Sequence, residues 1–288
     1  RVAILGKPNV GKSSLLNAIL GFPRVIVSPQ PLTTREPQDT VLEFGGQRLR
    51  LIDTAGLRRH ARVETDVETE ASGRSLETLR RADVALLVIE AHQPIAKQDS
   101  TLAGAIADGN ASCIVVANKY DLVSGKHGAI NKTIATAVAR HLAAVAWAGV
   151  VAVSAKTGER VGDLLPKILD VAQRRRLQTT PEQLAVLLRQ LTRKRRPVGG
   201  SGVEHPFIHA LTQTRTNPPG FTLVIGADQT LHFSYERYVT NALRAALGLD
   251  GVNFKVKVTQ AATQLPGGRK STVRRRPIGR IIPQYNRK

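Results

Sequence analysis

The sequence Gly6-Lys-Pro-Asn-Val-Gly-Lys12-Ser13 joins the apolar run Val2–Leu5 to a segment of helical character that starts at Ser14. Such a loop between a buried strand and a helix is typical of phosphate binding, because backbone N–H groups and the helix dipole converge on one anion. Lys12 would add a charge, and the Ser13 hydroxyl can bind Mg²⁺. A tight turn without a ligand is the alternative. We therefore predict a phosphate site formed by Gly6, Lys7, Pro8, Asn9, Val10, Gly11, Lys12 and Ser13.

A second motif, Asp53-Thr-Ala-Gly56, follows the apolar run Leu49–Ile52. This order places the Asp53 carboxylate at the carboxyl end of a strand, where it can hold the Mg²⁺ shell. The Gly56 N–H group would approach the γ-phosphate. This motif adds Asp53, Thr54, Ala55, Gly56 and Leu57 to the predicted nucleotide site.

Two later motifs predict which base is bound. Asp121 can accept hydrogen bonds from N1–H and the 2-amino group of guanine, which adenine lacks, so we predict GTP rather than ATP. Lys119 is expected to pack along the glycines of the phosphate loop. A backbone N–H after Ser154 would reach the guanine carbonyl, although Ser-Ala-Lys alone could be a chance turn. Each motif follows an apolar run, and the predicted base site comprises Asn118, Lys119, Tyr120, Asp121, Ser154, Ala155 and Lys156.

The composition indicates two domains and a polyanionic partner. The chain has 288 residues and a formal net charge of +20. Residues 1–170 contain 21 Lys/Arg against 17 Asp/Glu, whereas residues 171–288 contain 21 against 5. We therefore expect the C-terminal part to contact a polyanion. A solvated basic surface that only aids solubility is the alternative.

The sequence shows no membrane or secretion signal. No apolar run approaches the ~18 residues of a membrane span, so we expect a cytoplasmic protein with no membrane contact. Cys113 is the single cysteine and is expected in the core. The chain begins at Arg1 within a strand and contains no Met, so we expect its true N-terminus to lie upstream.

Alternating apolar runs and helical periods predict an α/β fold with a doubly wound sheet over residues 1–175. Strands are predicted near 2–5, 41–44, 49–52, 84–90, 113–117 and 150–153, with helices near 13–20, 98–108, 127–146 and 161–173. Arg174-Arg-Arg176 is predicted to end this domain.

The sequence of residues 176–262 predicts a small α+β domain. Its elements are a helix near 181–192, strands near 206–213 and 221–226, a helix near 234–247 and an edge strand over 252–258. Residues 263–288 are expected to be a disordered basic tail, since 265–288 carry eight Lys/Arg and no acid. The predicted core includes Phe207, Phe221, Phe233 and Tyr238. The last helix has a predicted apolar stripe at Tyr235, Val239, Ala242 and Ala246, with Arg237 and Arg244 off that stripe.

The chain resembles the Der (EngA) family of bacterial GTPases, from its second GTPase domain through its C-terminal KH-like domain. The resemblance covers about residues 1–258 and rests on the phosphate loop, Thr33-Thr-Arg35, Asp53–Arg59, Asn217–Phe221 and Tyr235–Tyr238. It implies a P-loop GTPase sheet followed by a KH-like domain, a further GTPase domain upstream, and a role in ribosome biogenesis. The chain departs from the family pattern at Leu32, where a glycine is usual, and at Glu36, where an aspartate is usual.

The resemblance also suggests how hydrolysis would proceed. Leu57 stands where Ras-type enzymes place a water-orienting glutamine, so another group must stabilise the transition state. Asn9 resembles the position that ligates K⁺ in the Der and TrmE group, with further ligands near Ser28 and Gln30; stabilising the turn is its alternative role. Arg58 and Arg59 are expected to be mobile switch residues. The predicted catalytic residues are Asn9, Lys12, Thr34 and Gly56, and the predicted metal ligands are Ser13, Asp53 and Thr34 (or Thr33) for Mg²⁺ and Asn9 for K⁺.

Two functions remain open. The first is a monomeric GTP-hydrolysing assembly factor that acts on the large ribosomal subunit through its rRNA. The second is a GTPase-fold switch that binds a protein or a tRNA-modification partner with little turnover. The Gly-x-x-Gly strings at 199–202 and 248–251 do not join two helices, so neither is expected to clamp RNA. The basic C-terminal surface is expected to contact the RNA backbone or to dock on the GTPase domain.

Overall fold

The structure is a computed structural model that describes residues 1–27, 39–55, 57, 76–123, 127–200 and 205–261. Its strands are β1 Val2–Leu5, β2 Ile26–Val27, β3 Thr40–Phe44, β4 Gln47–Leu51, β5 Val84–Glu90, β6 Ser112–Asn118, β7 Gly149–Ala152, β8 Ile208–Thr216, β9 Pro219–Ile225 and β10 Lys255–Gln260. Its principal helices are α1 Lys12–Leu20, α2 Lys97–Asp108, α3 His127–His141, α4 Val161–Arg174, α5 Pro181–Lys194 and α6 Phe233–Leu247.

The first seven strands form one sheet in the order β2-β3-β4-β1-β5-β6-β7. Strands β4, β1, β5, β6 and β7 run parallel, and β3 and β2 continue the sheet antiparallel. Every residue of β5 and β6 is buried, because helices cover both faces of a parallel sheet. One core contains α1 and α4, and the other contains α2 and α3. The predicted doubly wound arrangement is confirmed.

Most predicted strands lie within two residues of their observed bounds. Two predicted strands differ more: the strand predicted over 206–213 is β8 at Ile208–Thr216, and the edge strand predicted over 252–258 begins only at Lys255, because residues 252–254 are buried in the loop that follows α6. We did not predict β2, an edge strand of two residues that is too short to show alternation. The helix predicted over 127–146 ends at His141, and a short 3₁₀ turn follows over Ala143–Val145. Cys113 is buried as expected, and burial raises the pKa of its thiol to about 12.

The second sheet has the order β10-β9-β8, with β9 parallel to β10 and antiparallel to β8. Helices α5 and α6 pack on one face of it through apolar side chains that include Leu184, Leu188, Tyr235 and Val239. Helix α5 begins with a capping box in which Thr180 and Gln183 satisfy each other's backbone N–H groups. The predicted stripe on α6 was wrong at Ala246, which is exposed, since Leu243 fills that part of the core.

Two aromatic residues that we predicted in this core lie on the surface. Phe221 is 1% exposed and Tyr238 is half-buried, as predicted, but Phe207 is 64% exposed and Phe233 is 66% exposed. Phe207 precedes β8, and Phe233 is the first residue of α6. Both positions lie at the end of an element, where periodicity no longer indicates which side is covered.

The loop between α6 and β10 docks the second sheet against the first. The Asn253 side-chain amide donates to the carbonyl oxygens of Ile106 (2.9 Å), Ala107 (3.2 Å) and Gly109 (3.1 Å) at the end of α2. Gly251 accepts from the Cys113 N–H group at 2.9 Å and has a φ of 78°. A Cβ atom there would lie 2.8 Å from Val171, so glycine permits this close approach.

Two arginines lie in this interface between the two domains and are not part of the exposed basic surface predicted for the C-terminal part. Arg175 was predicted at the domain end; it is 5% exposed, and its guanidinium donates to the Asn110 carbonyl and the Ser112 hydroxyl. The Arg244 guanidinium lies 5.2 Å from the Trp147 ring and donates to the carbonyl oxygens of Leu249 (2.6 Å) and Val252 (2.8 Å). Burial lowers the pKa of each arginine to about 10. The second Gly-x-x-Gly string is thus a docking loop, and part of the first lies outside the described residues.

We expect Asn253→Ala to lower the free energy of unfolding by about 2 kcal/mol, since three carbonyl oxygens would lose a buried donor. The measurement is urea denaturation followed by circular dichroism. Asn241→Ala on the exposed side of α6 is the matched control and should leave stability unchanged or slightly higher. Equal stability of both variants would contradict a role for Asn253 in docking.

Candidate nucleotide site

The loop between β1 and α1 has the backbone shape of an anion cradle. Gly6, Asn9 and Gly11 have φ angles of 156°, 61° and 91°. A Cβ atom on Gly11 would lie 2.4 Å from the Asn118 amide, so no larger residue fits where this loop meets β6. The ammonium group of Lys12 donates to the carbonyl oxygens of Gly6 (2.9 Å) and Lys7 (2.7 Å). Burial lowers the pKa of Lys12 to about 8.

One buried side chain connects three of the predicted motifs. Asn118 is 2% exposed; its amide nitrogen donates to the Val10 carbonyl oxygen at 2.8 Å, and its Oδ1 accepts from the Ala155 N–H group at 2.9 Å. The phosphate loop, the end of β6 and the Ser154-Ala-Lys156 turn are therefore held in one geometry. The sequence placed Asn118 in the site but did not indicate this role.

The Asp121 carboxylate is oriented by a short hydrogen bond. The Ser154 hydroxyl donates to Asp121 Oδ1 at 2.6 Å and accepts from the Thr157 N–H group at 3.2 Å. Asp121 itself is exposed, as an acceptor for a ligand must be. This arrangement fits a carboxylate that receives two donors from the edge of a base.

Glu90 is a buried residue of the site that sequence reasoning missed. It ends β5, and its two carboxylate oxygens pair with the ammonium groups of Lys7 (2.9 Å) and Lys119. Burial raises the pKa of Glu90, but the two lysines lower it more, so it lies below its usual value. Lys119 therefore reaches Glu90 rather than simply following the loop glycines. A charged residue at the end of the apolar run Val84–Ile89 was the signal available in the sequence.

Asp53 is anchored from two sides. Its N–H group donates to Asp39 Oδ1 at 3.0 Å, and its Oδ2 accepts from the Thr78 hydroxyl at 3.2 Å. Asp39 also pairs with Arg81 at 3.1 Å. The Ser13 hydroxyl donates to the Leu57 carbonyl oxygen at 2.7 Å, which brings the phosphate loop and the second motif together. The Ser13 hydroxyl and the Asp53 carboxylate are hard oxygen ligands of the kind that Mg²⁺ prefers, so their chemistry fits the predicted Mg²⁺ site.

Comparison with known proteins gives the family. Residues 1–119 match the model of the 50S ribosome-binding GTPases, and residues 178–259 match the KH-domain-like region at the C-terminus of EngA bacterial GTPase enzymes. GTPase Der of Symbiobacterium thermophilum is 39% identical over 275 residues, which are 96% of this chain and 58% of that protein. The chain belongs to the Der (EngA) GTPases.

A second Der relative agrees with this assignment. GTPase Der of Thermomicrobium roseum is 38% identical over 92% of this chain and 58% of its own length. The chain thus spans 58% of the length of these two Der relatives. The crystal structure of Era in complex with MgGDPNP and part of 16S ribosomal RNA is 23% identical, with a TM-score of 0.43, and covers 90% of this chain and 93% of that one. The family assignment follows from the sequence matches, not from this structural likeness.

Several positions named in the comparison with the Der pattern lie outside the described residues. They are Ser28, Gln30, Leu32, Thr33, Thr34, Arg35, Glu36, Gly56, Arg58 and Arg59, together with the tail over 263–288. The roles assigned to Thr34 in Mg²⁺ binding and to Gly56 at the γ-phosphate stay predictions. Within the described ranges, no helix is both long and apolar enough to cross a bilayer.

Proposed function

We propose that this chain binds and hydrolyses GTP and acts in ribosome assembly through the rRNA of the large subunit. The observation that carries the proposal is the joint placement of the phosphate loop, Asn118 and Asp121 by direct hydrogen bonds. The two Der relatives and the EngA C-terminal family support the same assignment. We assign GTP binding to residues 1–175 and RNA contact to residues 176–288.

In this proposal the protein positions the nucleotide, and bound cations stabilise most of the negative charge on the phosphates. Lys12 would exchange its two carbonyl partners for phosphate oxygens, and the negative charge of the bound phosphates would keep its ammonium group protonated. Bound Mg²⁺ would neutralise phosphate charge, and Ser13 and Asp53 would hold it. The Leu57 side chain packs against the apolar core and has no group that could orient water. We therefore assign the remaining stabilisation to K⁺ held through Asn9.

RNA binding should depend steeply on salt, because the C-terminal part is so basic. If ~4 to 6 phosphate contacts form, log K against log salt should have a slope of roughly −3 to −5. Deleting residues 266–288 should flatten the slope, since this segment carries eight Lys/Arg and no acid. The measurement is filter binding to large-subunit rRNA at several salt concentrations.

GTP hydrolysis by the shortened protein is the control and should not change, since no nucleotide motif lies in the deleted segment. An unchanged slope would assign the contact to the folded part alone. Absence of RNA binding by the full chain would contradict the proposed function.

A further inference from the structure

One face of the β8–β10 sheet is left uncovered by α5 and α6. Helices α5 and α6 cover the opposite face, where Phe221, Leu223 and Ile225 are buried. The alternating residues Thr222 and Val224 are only half-buried. Because successive side chains of a strand point to opposite faces, these two belong to the open face.

The strand register shows which side chains share that open face. Thr212 lies opposite Thr222, and Thr222 lies opposite Lys257, so these three form a row across the sheet. Lys257 is exposed. The ammonium group of Lys255, two residues away on the same side of β10, donates to the Asp108 carbonyl oxygen at the end of α2 (2.9 Å). No Asp or Glu occurs in 208–216, 219–225 or 255–260. On this face the three strands therefore present the exposed ammonium group of Lys257 and threonine hydroxyl groups, and they contribute no carboxylate.

An exposed aromatic ring stands at the edge of this face. Phe207 precedes the buried Ile208, so its side chain points to the open side, and its ring meets the exposed His209 ring edge-on at 4.8 Å. The Phe207 backbone is held on both sides: its N–H group donates to Gln229 Oε1 at 2.8 Å, and its carbonyl oxygen accepts from Gly226 at 2.9 Å. Burying a phenylalanine side chain stabilises a fold by about 1.5–3 kcal/mol, and an exposed ring does not provide this free energy. Phe207 therefore contributes little to the stability of the fold.

We propose that single-stranded RNA lies across the open face of the β8–β10 sheet, with a base stacked on Phe207 and a phosphate beside Lys257. The inference rests on the RNA binding proposed above and specifies its surface and the kind of RNA. An aromatic ring in a basic, carboxylate-free surface is the arrangement that binds unpaired bases, whereas a duplex keeps its bases stacked internally. The basic tail is a poor occupant of this face, because both are positively charged.

Phe233 provides a matched control for Phe207. It is equally exposed, at 66% against 64%, but it belongs to the helix layer and contacts His232 instead. Phe207→Ala should weaken binding of the full chain to a fluorescent oligouridine of about a dozen nucleotides by about 5- to 100-fold. Phe207→Trp should retain binding, and Phe233→Ala should change it by less than about twofold. Lys257→Gln should reduce the salt slope by about one.

The experiment is fluorescence anisotropy with the oligouridine and with an RNA duplex of equal length, and GTP hydrolysis reports on folding. Equal losses in Phe207→Ala and Phe233→Ala, or an equal loss for duplex and single strand, would overturn the proposal. So would higher oligouridine affinity after deletion of 266–288, because the tail would then be the occupant. If the unmodified chain binds rRNA but Phe207→Ala binds oligouridine normally, only this inference fails. If the unmodified chain binds neither RNA, the proposed function itself fails.

Discussion

Asp121→Asn should convert the protein from a guanine to a xanthine nucleotide binder. The asparagine amide would meet the 2-amino group of guanine with a donor, whereas xanthine has a carbonyl oxygen there. We expect GTP affinity to fall by on the order of 10³-fold or more, because a site built around specific hydrogen bonds strongly rejects an unmatched ligand. XTP affinity should rise in parallel. The measurement is a competition assay with GTP, XTP and ATP. The displaced probe is a fluorescent guanine nucleotide for the unmodified protein and a fluorescent xanthine nucleotide for the variant.

Ser154→Ala is the control for this exchange. The Ser154 hydroxyl orients Asp121, at 2.6 Å, and also accepts from the Thr157 N–H group. It is not the group that would recognise the base, so its loss should weaken GTP binding without changing the preferred base. The expected loss is about tenfold, as for one hydrogen bond to a charged group. Equal affinity of the unmodified protein for GTP and ATP would refute the guanine assignment.

GTP hydrolysis should be faster in K⁺ than in Na⁺ by on the order of 10- to 100-fold. Leu57 provides no polar side chain for the transition state, and a monovalent cation held through Asn9 would supply the missing charge. Replacement of Asn9 should remove the difference between the two salts. The measurement is phosphate release at matched ionic strength in KCl and NaCl.

The backbone determines which replacement of Asn9 is informative. Asn9 has a φ of 61°, a left-handed conformation that glycine adopts freely and alanine adopts only with strain. Asn9→Gly therefore removes the amide without strain in the loop, and Asn9→Asp retains an oxygen ligand. We expect Asn9→Gly to lose potassium stimulation and Asn9→Asp to keep part of it. Identical rates in both salts for the unmodified protein would leave Asn9 as a turn residue.

The GTPase part of the fold could be predicted well because its signals are local. Strand β5 was predicted with its observed bounds, since an uninterrupted apolar run is what a strand buried on both faces requires. The motifs stand at the carboxyl ends of such runs, and parallel strands bring those ends to one edge of a sheet. Residue type and order alone therefore placed Lys12, Asn118 and Asp121 in a single predicted site.

The contacts that hold this site together were not predictable in the same way. Glu90 accepts two lysines from loops far apart in the sequence, and Asn118 bonds to residues 108 positions before it and 37 after it. A sequence pattern shows how apolar and polar residues alternate within one segment, but it does not show which distant segment contacts that segment in the fold. Such pairs become visible only when the strand order is known.

The sequence by itself determined the fold class, the nucleotide motifs and the uneven distribution of charge, because each depends on residues within one element or on simple counting. The tertiary structure decided which faces are covered. It placed Phe207 and Phe233 at the surface, Arg175 and Arg244 in an interface, and Lys257 on an open sheet face. Burial is a property of two packed elements, so the pattern of one element cannot show whether a partner lies against its end or its second face.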